Sequence, residues 1–576
     1  MTIKDEIEKL IRDVIREFGE VKEIPLEHPE NLEHGDYSTN IAFALAKQLG
    51  KNPQEIAEAI KSKIQSTKSK TIERVEAVGG FVNFYLSSKV FKARLYTLLR
   101  QKEKYGKNEA LKGRKIMVEY GHPNTHKEMH IGHMRTLVTG EALARVFEAS
   151  GAKVFRANYQ GDIGPHVAKA IWGTEKVLQE RGISWVEAEK LSLPEKAHLL
   201  GQGYVNGNQE YEEKKAEIDE LNSKLYRNEK GAMLVYKRTR QWSLDYYDLF
   251  YKRFDTKFDR LYFESQVAEG GKKIVLENTG KVFEKSEGAV IFDGEPHGLH
   301  KRVFITHDGN PTYEAKEMGL APLQYKDFPF DLNIHVVANE QSGYFQVVFK
   351  ALELIDEKFR GREHHLPMGM VQLVGKKMSS RTGVVVTVDG LLDEVKNLLS
   401  KLITSEDLSE KEIEEIKEKG TIAAVKYSVL KTDTKSNVMF DMERSVALDG
   451  NSCPYLLYTY ARCRSILRKA PAFVRKLADY GEAKQNNLSK EELDLLRTMY
   501  KFPEVVQEAA AKYAPNLVCN FVFDLAQKYN NFYNTHPVLQ APTPKQKQFR
   551  LLLTSAVAQL IQNSLWLLGI QTLDRM

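Results

Sequence analysis

The sequence is poor in cysteine, with three cysteines in 576 residues, at Cys453, Cys463 and Cys519. So few thiols exclude a disulfide framework, and their spacing matches no structural zinc motif, so we interpret them as small apolar core residues. The chain also lacks an apolar run long enough to span a membrane. Its N-terminus is a charged amphipathic segment without the apolar centre of a signal peptide. These absences predict a cytoplasmic protein with no membrane partner.

A large excess of one charge is absent as well. The formal net charge is +6, and 28% of the residues are charged and 42% hydrophobic, as in a soluble globular protein. This small excess favours a polyanionic partner only if the basic residues are clustered. A chain of 576 residues is too long for one core, so several domains are expected.

Residues 1–107 predict a small α/β domain. Seven apolar residues share one helical face near its start: Ile3, Ile7, Leu10, Ile11, Val14, Ile15 and Phe18. Two apolar runs flank Gly79-Gly80, which predicts a hairpin. The segment His34-Gly35-Asp36-Tyr37 precedes a helix and by itself indicates only a turn with a helix cap.

Residues 108–390 alternate between strand and helix patterns. Apolar runs occupy 116–120, 154–158, 289–292, 303–305, 334–337 and 368–373. This alternation predicts a mostly parallel, doubly wound, Rossmann-like sheet. Residues from about 175 to 235 are polar and charge-rich, which predicts a helical insertion. Beyond about Val388 no β pattern remains, so residues 391–576 predict an all-helical domain, and the whole chain a multidomain α/β protein.

Polar residues collect after the first strand of this sheet, at the edge where such folds bind ligands. Glu119 ends the strand, Asn124 lies in the following loop, and His130-Ile131-Gly132-His133 opens the next helix. The N-terminus of a helix favours anions, and histidines there can donate to phosphate oxygens. By itself, a His-x-x-His spacing is more often a surface or metal pair of histidines.

A cationic loop at 375–383, Gly-Lys-Lys-Met-Ser-Ser-Arg-Thr-Gly, offers complementary chemistry. Such a loop could neutralise charge on a triphosphate, or it could be a solvated basic loop. Glu119 leaves two interpretations open: a structural ion pair, or a receptor for a cationic substrate. A guanidinium would suit the second best, because it pairs with a carboxylate through two hydrogen bonds.

Together these segments resemble class I aminoacyl-tRNA synthetases. The family's His-x-Gly-His signature stands here as His130–His133, and its Lys-Met-Ser-Lys loop as Lys377–Ser380, where Ser380 replaces the last lysine and Arg381 follows. Five further segments are similar to the arginyl-tRNA synthetase branch: Asn158–Gly164, Pro311–Tyr313, Asn339–Ser342, Asn451–Tyr455 and Asp574–Met576. Residues 1–107 are similar to the extra domain with which this branch contacts the tRNA elbow. Ile163 and Glu317 depart from the branch's usual tryptophan and aspartate.

The resemblance implies ATP-dependent activation of arginine and its transfer to the terminal adenosine of tRNA(Arg). It implies an arginine pocket of Glu119, Asn124, Tyr313, Glu317 and Gln341. It implies catalytic roles for His130, His133 and Lys377, and ATP contacts from His130, Gly132, His133, Met378, Ser379, Ser380 and Arg381. The expected tRNA contacts are Asp36, Tyr455, Tyr458, Tyr460, Arg462, Tyr533 and Met576.

For each of the C-terminal aromatic residues, a plain core position is an equal alternative. Mg²⁺ would arrive with ATP, since the sequence shows no dedicated carboxylate cage. We expect a monomer. Two other functions remain open at this stage: a class I synthetase for another amino acid, and a catalytically silent paralogue that only binds tRNA.

Overall fold

The computed structural model describes residues 2–67, 69–375, 386–403, 408–470 and 488–576. The first region carries a four-stranded antiparallel sheet in the order β1-β2-β4-β3. Its elements are α1 (Ile3–Ile15), β1 (Leu26–Glu27), β2 (Tyr37–Thr39), α2 (Ile41–Leu49), α3 (Pro53–Ser66), β3 (Ile72–Val78), β4 (Phe81–Leu86) and α4 (Ser88–Gln101). The predicted hairpin is confirmed, because Val78 pairs with Phe81 across Gly79-Gly80.

The second region is built on a five-stranded parallel sheet in the order β12-β11-β5-β6-β7, which confirms the predicted fold class. Its first half comprises β5 (Lys115–Glu119), α5 (Ile131–Ala149), β6 (Lys153–Gln160), α6 (Pro165–Arg181), α7 (Trp185–Ala188), α8 (Leu193–Gln209), α9 (Tyr211–Tyr226), α10 (Lys230–Arg253) and β7 (Arg260–Phe263). The second half comprises α11 (Glu264–Glu277), β8 (Glu284–Ser286), β9 (Ala289–Phe292), β10 (Arg302–Ile305), α12 (Tyr313–Asp327), β11 (Leu332–Ala338), α13 (Ser342–Ile355), β12 (Glu363–Met368) and β13 (Val371–Leu373).

The order of the strands reverses direction at β5. The chain first adds β6 and β7 on one side of β5 and later adds β11 and β12 on the other. Ligands of such sheets bind beyond the strand ends at this reversal. Glu119, at the end of β5, is the register partner of His335 on β11. The segment predicted as a helical insertion is helical, since α7, α8 and α9 occupy most of residues 175–235.

The runs at 289–292 and 303–305 do not belong to the parallel sheet, so that expectation was wrong. They are β9 and β10, which form a separate antiparallel sheet with β8. Glu287 and Gly288 join β8 to β9, and both have positive φ angles, of 49° and 81°. A two-residue turn of this kind forces antiparallel pairing, and its sequence signal is only two residues long.

The described part of the third region is helical apart from one short strand. Its elements are α14 (Val388–Ser400), α15 (Glu410–Leu430), β14 (Val438–Phe440), α16 (Met442–Val446), α17 (Cys453–Lys469), α18 (Lys490–Met499), α19 (Phe502–Lys512), α20 (Asn516–Thr535) and α21 (Pro544–Leu567). The three cysteines are buried and unbridged, as predicted. Among the described helices, none is both long and apolar enough to cross a membrane.

The strand β14 corrects the prediction that no strand follows Val388. It pairs in parallel with β13, which precedes the cationic loop. The run predicted as one strand over 368–373 is also divided, into β12 and β13, at Gly369-Met370. Gly369 is required there, because a Cβ atom on it would lie 2.4 Å from the carbonyl oxygen of Ser436.

Candidate active site

Three buried carboxylates meet at the reversal point of the parallel sheet. His335 Nδ1 lies 3.1 Å from Glu119 Oε1, and His335 Nε2 lies 2.8 Å from Glu363 Oε2. Gln324 donates its amide hydrogen to the other oxygen of Glu119. The third carboxylate, Glu317, reaches the site from α12 and accepts a hydrogen bond of 3.1 Å from the hydroxyl of Tyr344. We call Glu119, Glu317, Glu363 and His335 the acid cluster.

The charges in the acid cluster do not balance. Burial by itself would lower the pKa of His335, but the charge of Glu119 and its bonds to both carboxylates outweigh this and raise it well above the usual value. Burial alone would raise the pKa of Glu119, but His335 lowers it. Burial, and then the negative charge of Glu119, raise the pKa of Glu317 to about 8. Among the described residues, one cation therefore serves three acids, and Glu317 holds a proton at neutral pH.

Several buried polar atoms next to these groups have no hydrogen-bond partner among the described residues, among them Glu363 Oε1 and His122 Nε2. His122 is close to the acid cluster, with its Nδ1 3.9 Å from Glu119 Oε1. Buried polar groups are almost always paired in a folded protein, so these atoms are available to a hydrogen-bonding ligand. A cation rich in hydrogen-bond donors would complete this site.

The remaining residues predicted for the arginine pocket lie at the same edge of the sheet. The backbone carbonyl of Asn124 accepts 2.6 Å from the hydroxyl of Tyr247, and its side-chain oxygen lies so close to Gly161 that a Cβ atom there would be 2.3 Å away. Tyr313 begins α12 and is 57% exposed. Gln341 is exposed in the turn between β11 and α13. Two exposed side chains and buried acids thus occupy one edge of the sheet.

The two signature histidines form the N-terminus of α5. His130 is the capping residue, and its Nδ1 accepts from the backbone N–H groups of Gly132 (3.1 Å) and His133 (3.4 Å). The two imidazole rings stack with their centroids 3.6 Å apart. Burial lowers the pKa of His130 to about 4 and that of His133 further below its usual value. Both rings are therefore neutral, and in His130 the proton sits on Nε2, where it is available to an anionic ligand.

Lys377, Met378, Ser379, Ser380 and Arg381, predicted to contact ATP, lie outside the described residues. The chain on both sides of them is held against α5. Arg135 on α5 donates to the carbonyl oxygen of Met370, 2.9 Å away, before this segment. After it, Val388 donates to the carbonyl oxygen of Met129 over 2.9 Å, next to His130. The described ends of the chain thus flank the signature histidines.

The helical insertion contacts the same edge of the sheet. Lys127, in the loop before the signature, lies 4.0 Å from the ring centroid of Tyr204 on α8. Lys316, which follows Tyr313 on α12, forms a buried ion pair with Glu264 of α11. Lys316 Nζ lies 5.0 Å from the ring centroid of Tyr313. The insertion and α12 therefore border the site with aromatic rings and fixed charges.

Three of the predicted tRNA contacts form one surface cluster on the third region. Arg462 lies 4.8 Å from the ring centroid of Tyr458 and 5.0 Å from that of Tyr533. These two rings are 40% and 37% exposed. Asn530 holds the cluster in place, because it accepts from Arg462 (2.6 Å) and donates to Tyr455 (2.8 Å). Exposed aromatic rings around an arginine are well suited to stacking with unpaired bases.

Tyr460, Met576 and Asp36 lie in different surroundings. Tyr460 is 4% exposed, so the alternative of a core position describes it, and Met576 packs partly buried against the main core. Asp36 is 3% exposed, lies 3.0 Å from Arg497 Nε in an ion pair and accepts from the backbone N–H of Leu86. Burial prevents Tyr460 and Asp36 from contacting RNA directly.

A pocket of about 370 Å³ lies next to Asp36 in the first region. His34, Asn40, Val78, Phe81 and Asn83 contribute to its lining. Val78 and Phe81 are 55% and 44% exposed, and Phe81 meets the ring of Phe43 edge-on at 5.4 Å. Exposed apolar side chains beside amides and an imidazole form a surface on which a base can stack and pair.

The sequence interpretation missed His335, Glu363, Gln324 and Tyr344. The one available signal was His335 itself, a polar residue inside the apolar run 334–337 that resembles Glu119 at the end of its own strand. A buried polar residue in a parallel strand needs a partner, and the partner of His335 lies on β5. Nothing in the sequence pattern indicates that register.

Comparisons with known proteins agree with this geometry. A family model for the catalytic domain of class I tRNA synthetases of the arginine type matches residues 94–442. An anticodon-binding domain of the DALR type matches 456–576, and an arginyl-tRNA synthetase N-terminal domain matches 2–86. A parallel sheet with a His-x-Gly-His helix start at its reversal point is thus the catalytic core of a class I aminoacyl-tRNA synthetase.

Individual relatives narrow the class further. The arginine–tRNA ligase of Flavobacterium psychrophilum is 32% identical over 575 residues, covering 93% of this chain and 94% of the relative. That of Bacteroides fragilis strain YCH46 is 30% identical over 577 residues, covering 93% of each. The solved arginyl-tRNA synthetase of Thermus thermophilus superposes over 100% of both chains with a TM-score of 0.85 at 26% identity. The chain belongs to the arginyl-tRNA synthetase family.

Membership of the arginyl-tRNA synthetase family decides between the functions that the sequence left open. The protein is an enzyme that activates arginine with ATP and attaches it to tRNA. A synthetase for another amino acid and a silent tRNA-binding paralogue are both set aside.

Proposed function

We propose that the acid cluster receives the guanidinium group of arginine, and that Glu317 is its main carboxylate partner. The observation that supports this most directly is the charge imbalance: three buried acids share one histidine cation, and Glu317 holds a proton at neutral pH. Arginine would displace that proton and donate to oxygens that have few partners. Glu119 contributes less, because His335 and Gln324 already occupy both of its oxygens.

Asn124, Tyr313 and Gln341 complete the proposed pocket around the backbone end of arginine. Their position at the same edge supports this role, and the exposed ring of Tyr313 could cover the substrate. The arginine carboxylate then attacks the α-phosphorus of ATP, the bond to pyrophosphate breaks, and arginyl-adenylate forms. A hydroxyl of the terminal adenosine of tRNA next attacks the arginyl carbonyl, and AMP leaves. Neither step needs a protein nucleophile, so positioning and electrostatics provide the rate.

We also propose that His130, Gly132 and His133 bind ATP. The neutral histidines donate from the N-terminus of α5, where free N–H groups and the helix dipole favour phosphate. Lys377, with Met378, Ser379, Ser380 and Arg381, is proposed to neutralise the charge of the leaving pyrophosphate. Mg²⁺ is proposed to arrive on the ATP phosphates, because no group of three His, Cys, Asp or Glu residues in the described part of the chain is arranged to hold a metal ion.

For tRNA, we propose two contact surfaces. The cluster of Tyr455, Tyr458, Arg462 and Tyr533, with Met576 at the chain end, would stack with anticodon bases. The pocket lined by Phe81 and Asn83 would take a base of the tRNA elbow. We further propose a monomer that acts in the cytoplasm, where charged tRNA is consumed. We also propose domain boundaries near 107 and 390.

Two variants, one in each proposed site, test the arginine pocket and the anticodon-binding surface. Glu119→Gln should raise the KM for arginine by about 30- to 100-fold, because it removes one charge from a buried pair. It should leave the KM for ATP and tRNA nearly unchanged. Tyr533→Ala should show the reverse, with the KM for tRNA about tenfold higher, since one stacked base contributes roughly 1–3 kcal/mol.

Trp566→Ala is the matched control, since Trp566 is an equally exposed aromatic residue of the third region outside the cluster. It should change the KM for tRNA less than about twofold. Equal losses for arginine and ATP in Glu119→Gln would refute the arginine pocket. Equal losses in Tyr533→Ala and Trp566→Ala would refute the anticodon surface.

A further inference from the structure

The site contains a buried row of three ionisable groups that spans three neighbouring strands. Glu119 stands on β5, His335 on β11 and Glu363 on β12. The histidine lies between the carboxylates, 3.1 Å from Glu119 Oε1 and 2.8 Å from Glu363 Oε2. The three side chains are 3%, 4% and 2% exposed. Such a row is expensive to bury unless each charge has a partner.

The surroundings favour a charged histidine. The rings of Phe345 and Phe349 lie 5.2 and 5.3 Å from the imidazole of His335 and exclude water from it. His335 bonds to one carboxylate through each nitrogen, and a ring that donates from both nitrogens is an imidazolium. His122 lies beyond Glu119, Glu317 faces the row from α12, and His364 and His365 flank it on β12. Burial lowers the pKa of His122, His364 and His365, so they remain neutral.

We propose that His335 is a positioning and specificity residue. Its positive charge balances the negative charge of Glu363 and keeps Glu119 ionised and in place. His335 thereby sets the net charge of the pocket that receives the guanidinium group of the substrate. With arginine bound, the two cations would balance two of the three acids, and the unpaired Glu363 Oε1 would remain as an acceptor for the ligand. This inference rests on the proposed arginine pocket. It adds that arginine is selected by the net charge of the pocket as well as by contact with Glu119 and Glu317.

Replacing His335 by glutamine separates charge from hydrogen bonding. A glutamine amide donates to one carboxylate but carries no charge, so two buried carboxylates would be left without a cation between them, and burial would favour protonation of one of them. Arginine would then have to displace one proton more than in the wild type. We expect His335→Gln to raise the KM for arginine at pH 7 at least tenfold with kcat changed less than about threefold. We also expect a steeper rise of kcat/KM with pH than in the wild type.

The double variant His335→Gln/Glu363→Gln is the decisive test, because it removes one positive and one negative charge together. The net charge of the pocket returns to that of the wild type, and the KM for arginine should recover to within about threefold of it. The pH slope of kcat/KM should recover as well. Losses that add up in the double variant, or a His335→Gln variant with an unchanged pH slope, would overturn the proposal.

His365→Gln is the matched control for folding and for the sheet. His365 is the register partner of His335 on β12, but it bonds to the carbonyl oxygen of Val337 and has no carboxylate partner in the described structure. It should leave the KM for arginine and the pH slope within about twofold. Binding of arginine and of its uncharged analogue citrulline to each full-length variant, measured by calorimetry, gives a readout besides activity. The preference for arginine should fall in His335→Gln and return in the double variant.

The proposed arginine pocket and the proposed role of His335 can be refuted separately. If Glu317→Gln leaves arginine binding intact, the pocket itself is misplaced. If Glu317→Gln abolishes binding while the losses in the His335 and Glu363 variants simply add, the pocket stands and only the role of His335 falls.

Discussion

The acid cluster and a second group of buried acids, between the first and third regions, are similarly inaccessible but differ in how they are paired. In this second group, Asp36 faces Arg497 and the N–H of Leu86, and Glu504 accepts from Tyr37 over 2.5 Å and lies 3.0 Å from His28. We call these residues the junction cluster. Each carboxylate oxygen of Asp36 and Glu504 has a hydrogen-bond or ion-pair partner, whereas Glu363 Oε1 in the acid cluster has none among the described residues. Arg497 Nε, although 3.0 Å from Asp36 Oδ1, makes no hydrogen bond among the described residues.

The difference separates a structural role from a binding role. Removing either side of a buried charged pair leaves the other side unsatisfied, so the junction cluster holds two regions together. An incompletely paired group costs the protein free energy until a ligand arrives, which supports the proposal that the acid cluster is a binding site. The number of unsatisfied oxygens thus distinguishes the two clusters, whereas burial does not.

The largest effect on arginine affinity is expected from Glu317→Gln. Removing the charge of one partner from a desolvated ion pair costs about 3–4 kcal/mol, or roughly 100- to 1,000-fold in affinity. ATP affinity should stay within about twofold. The variant should be at least as stable as the wild type near pH 9, because it removes a buried acid that has no cationic partner of its own among the described residues. Calorimetric titration with arginine and with ATP, and thermal unfolding, measure the three quantities.

Glu314→Gln is the comparison variant on the same helix. Glu314 is buried but already paired with Arg302 at 2.9 Å. It should lose stability and keep its arginine affinity, the opposite of Glu317→Gln. If both variants bind arginine equally well, incomplete pairing does not identify the site.

A smaller effect, about tenfold, is expected from pH. The pKa of Glu317 is raised to about 8, first by burial and then by Glu119, so its proton must leave when a guanidinium binds. The affinity for arginine should therefore rise about tenfold between pH 7 and pH 9 and level off above the pKa. Titrations in buffers of different ionisation enthalpy should show release of nearly one proton at pH 7. In Glu317→Gln both the slope and the proton release should disappear, and their persistence would assign the proton to another group.

The same pKa has a consequence for stability. In the unfolded chain Glu317 loses its proton near pH 4.5, whereas in the folded protein it keeps the proton to about pH 8. Between these values the folded state binds more protons than the unfolded state. The contribution of Glu317 to stability therefore falls as pH rises through this window.

How much of the structure could be predicted from the sequence depended on whether the interacting residues are close together along the chain. The alternation of strands and helices predicted the parallel sheet, and it placed Glu119 and the signature histidines at one edge because they follow a single strand. It could not predict the row with His335, since that depends on the register between β5 and β11. The antiparallel sheet was missed because its turn is two residues long, and β14 because its partner β13 lies far away in sequence.

Asp36 is another residue whose interaction partner could not be predicted from the sequence. Its motif lies in a region similar to one that contacts tRNA, so we expected an RNA contact. Its actual partner, Arg497, lies on α18 in the third region, and no local pattern connects the two. The base-sized pocket next to it depends on Phe81 and Asn83, which the sequence indicated only as strand residues.

The smallest effect on arginine is expected from the junction cluster. Asp36→Asn should leave arginine affinity within about twofold, because the acid cluster lies in another region. It should lower the apparent Tm by about 2–5 °C, since Arg497 loses its counter-charge and the N–H of Leu86 its carboxylate.

The double variant Asp36→Asn/Arg497→Gln should be destabilised by less than the sum of the two single changes, since the two residues interact directly. Thermal unfolding with parallel arginine titrations measures this, and Glu55→Gln, at an exposed position of the same region, is the control. A loss of arginine affinity in Asp36→Asn without a change in Tm would show that complete pairing does not confine a buried acid to a structural role.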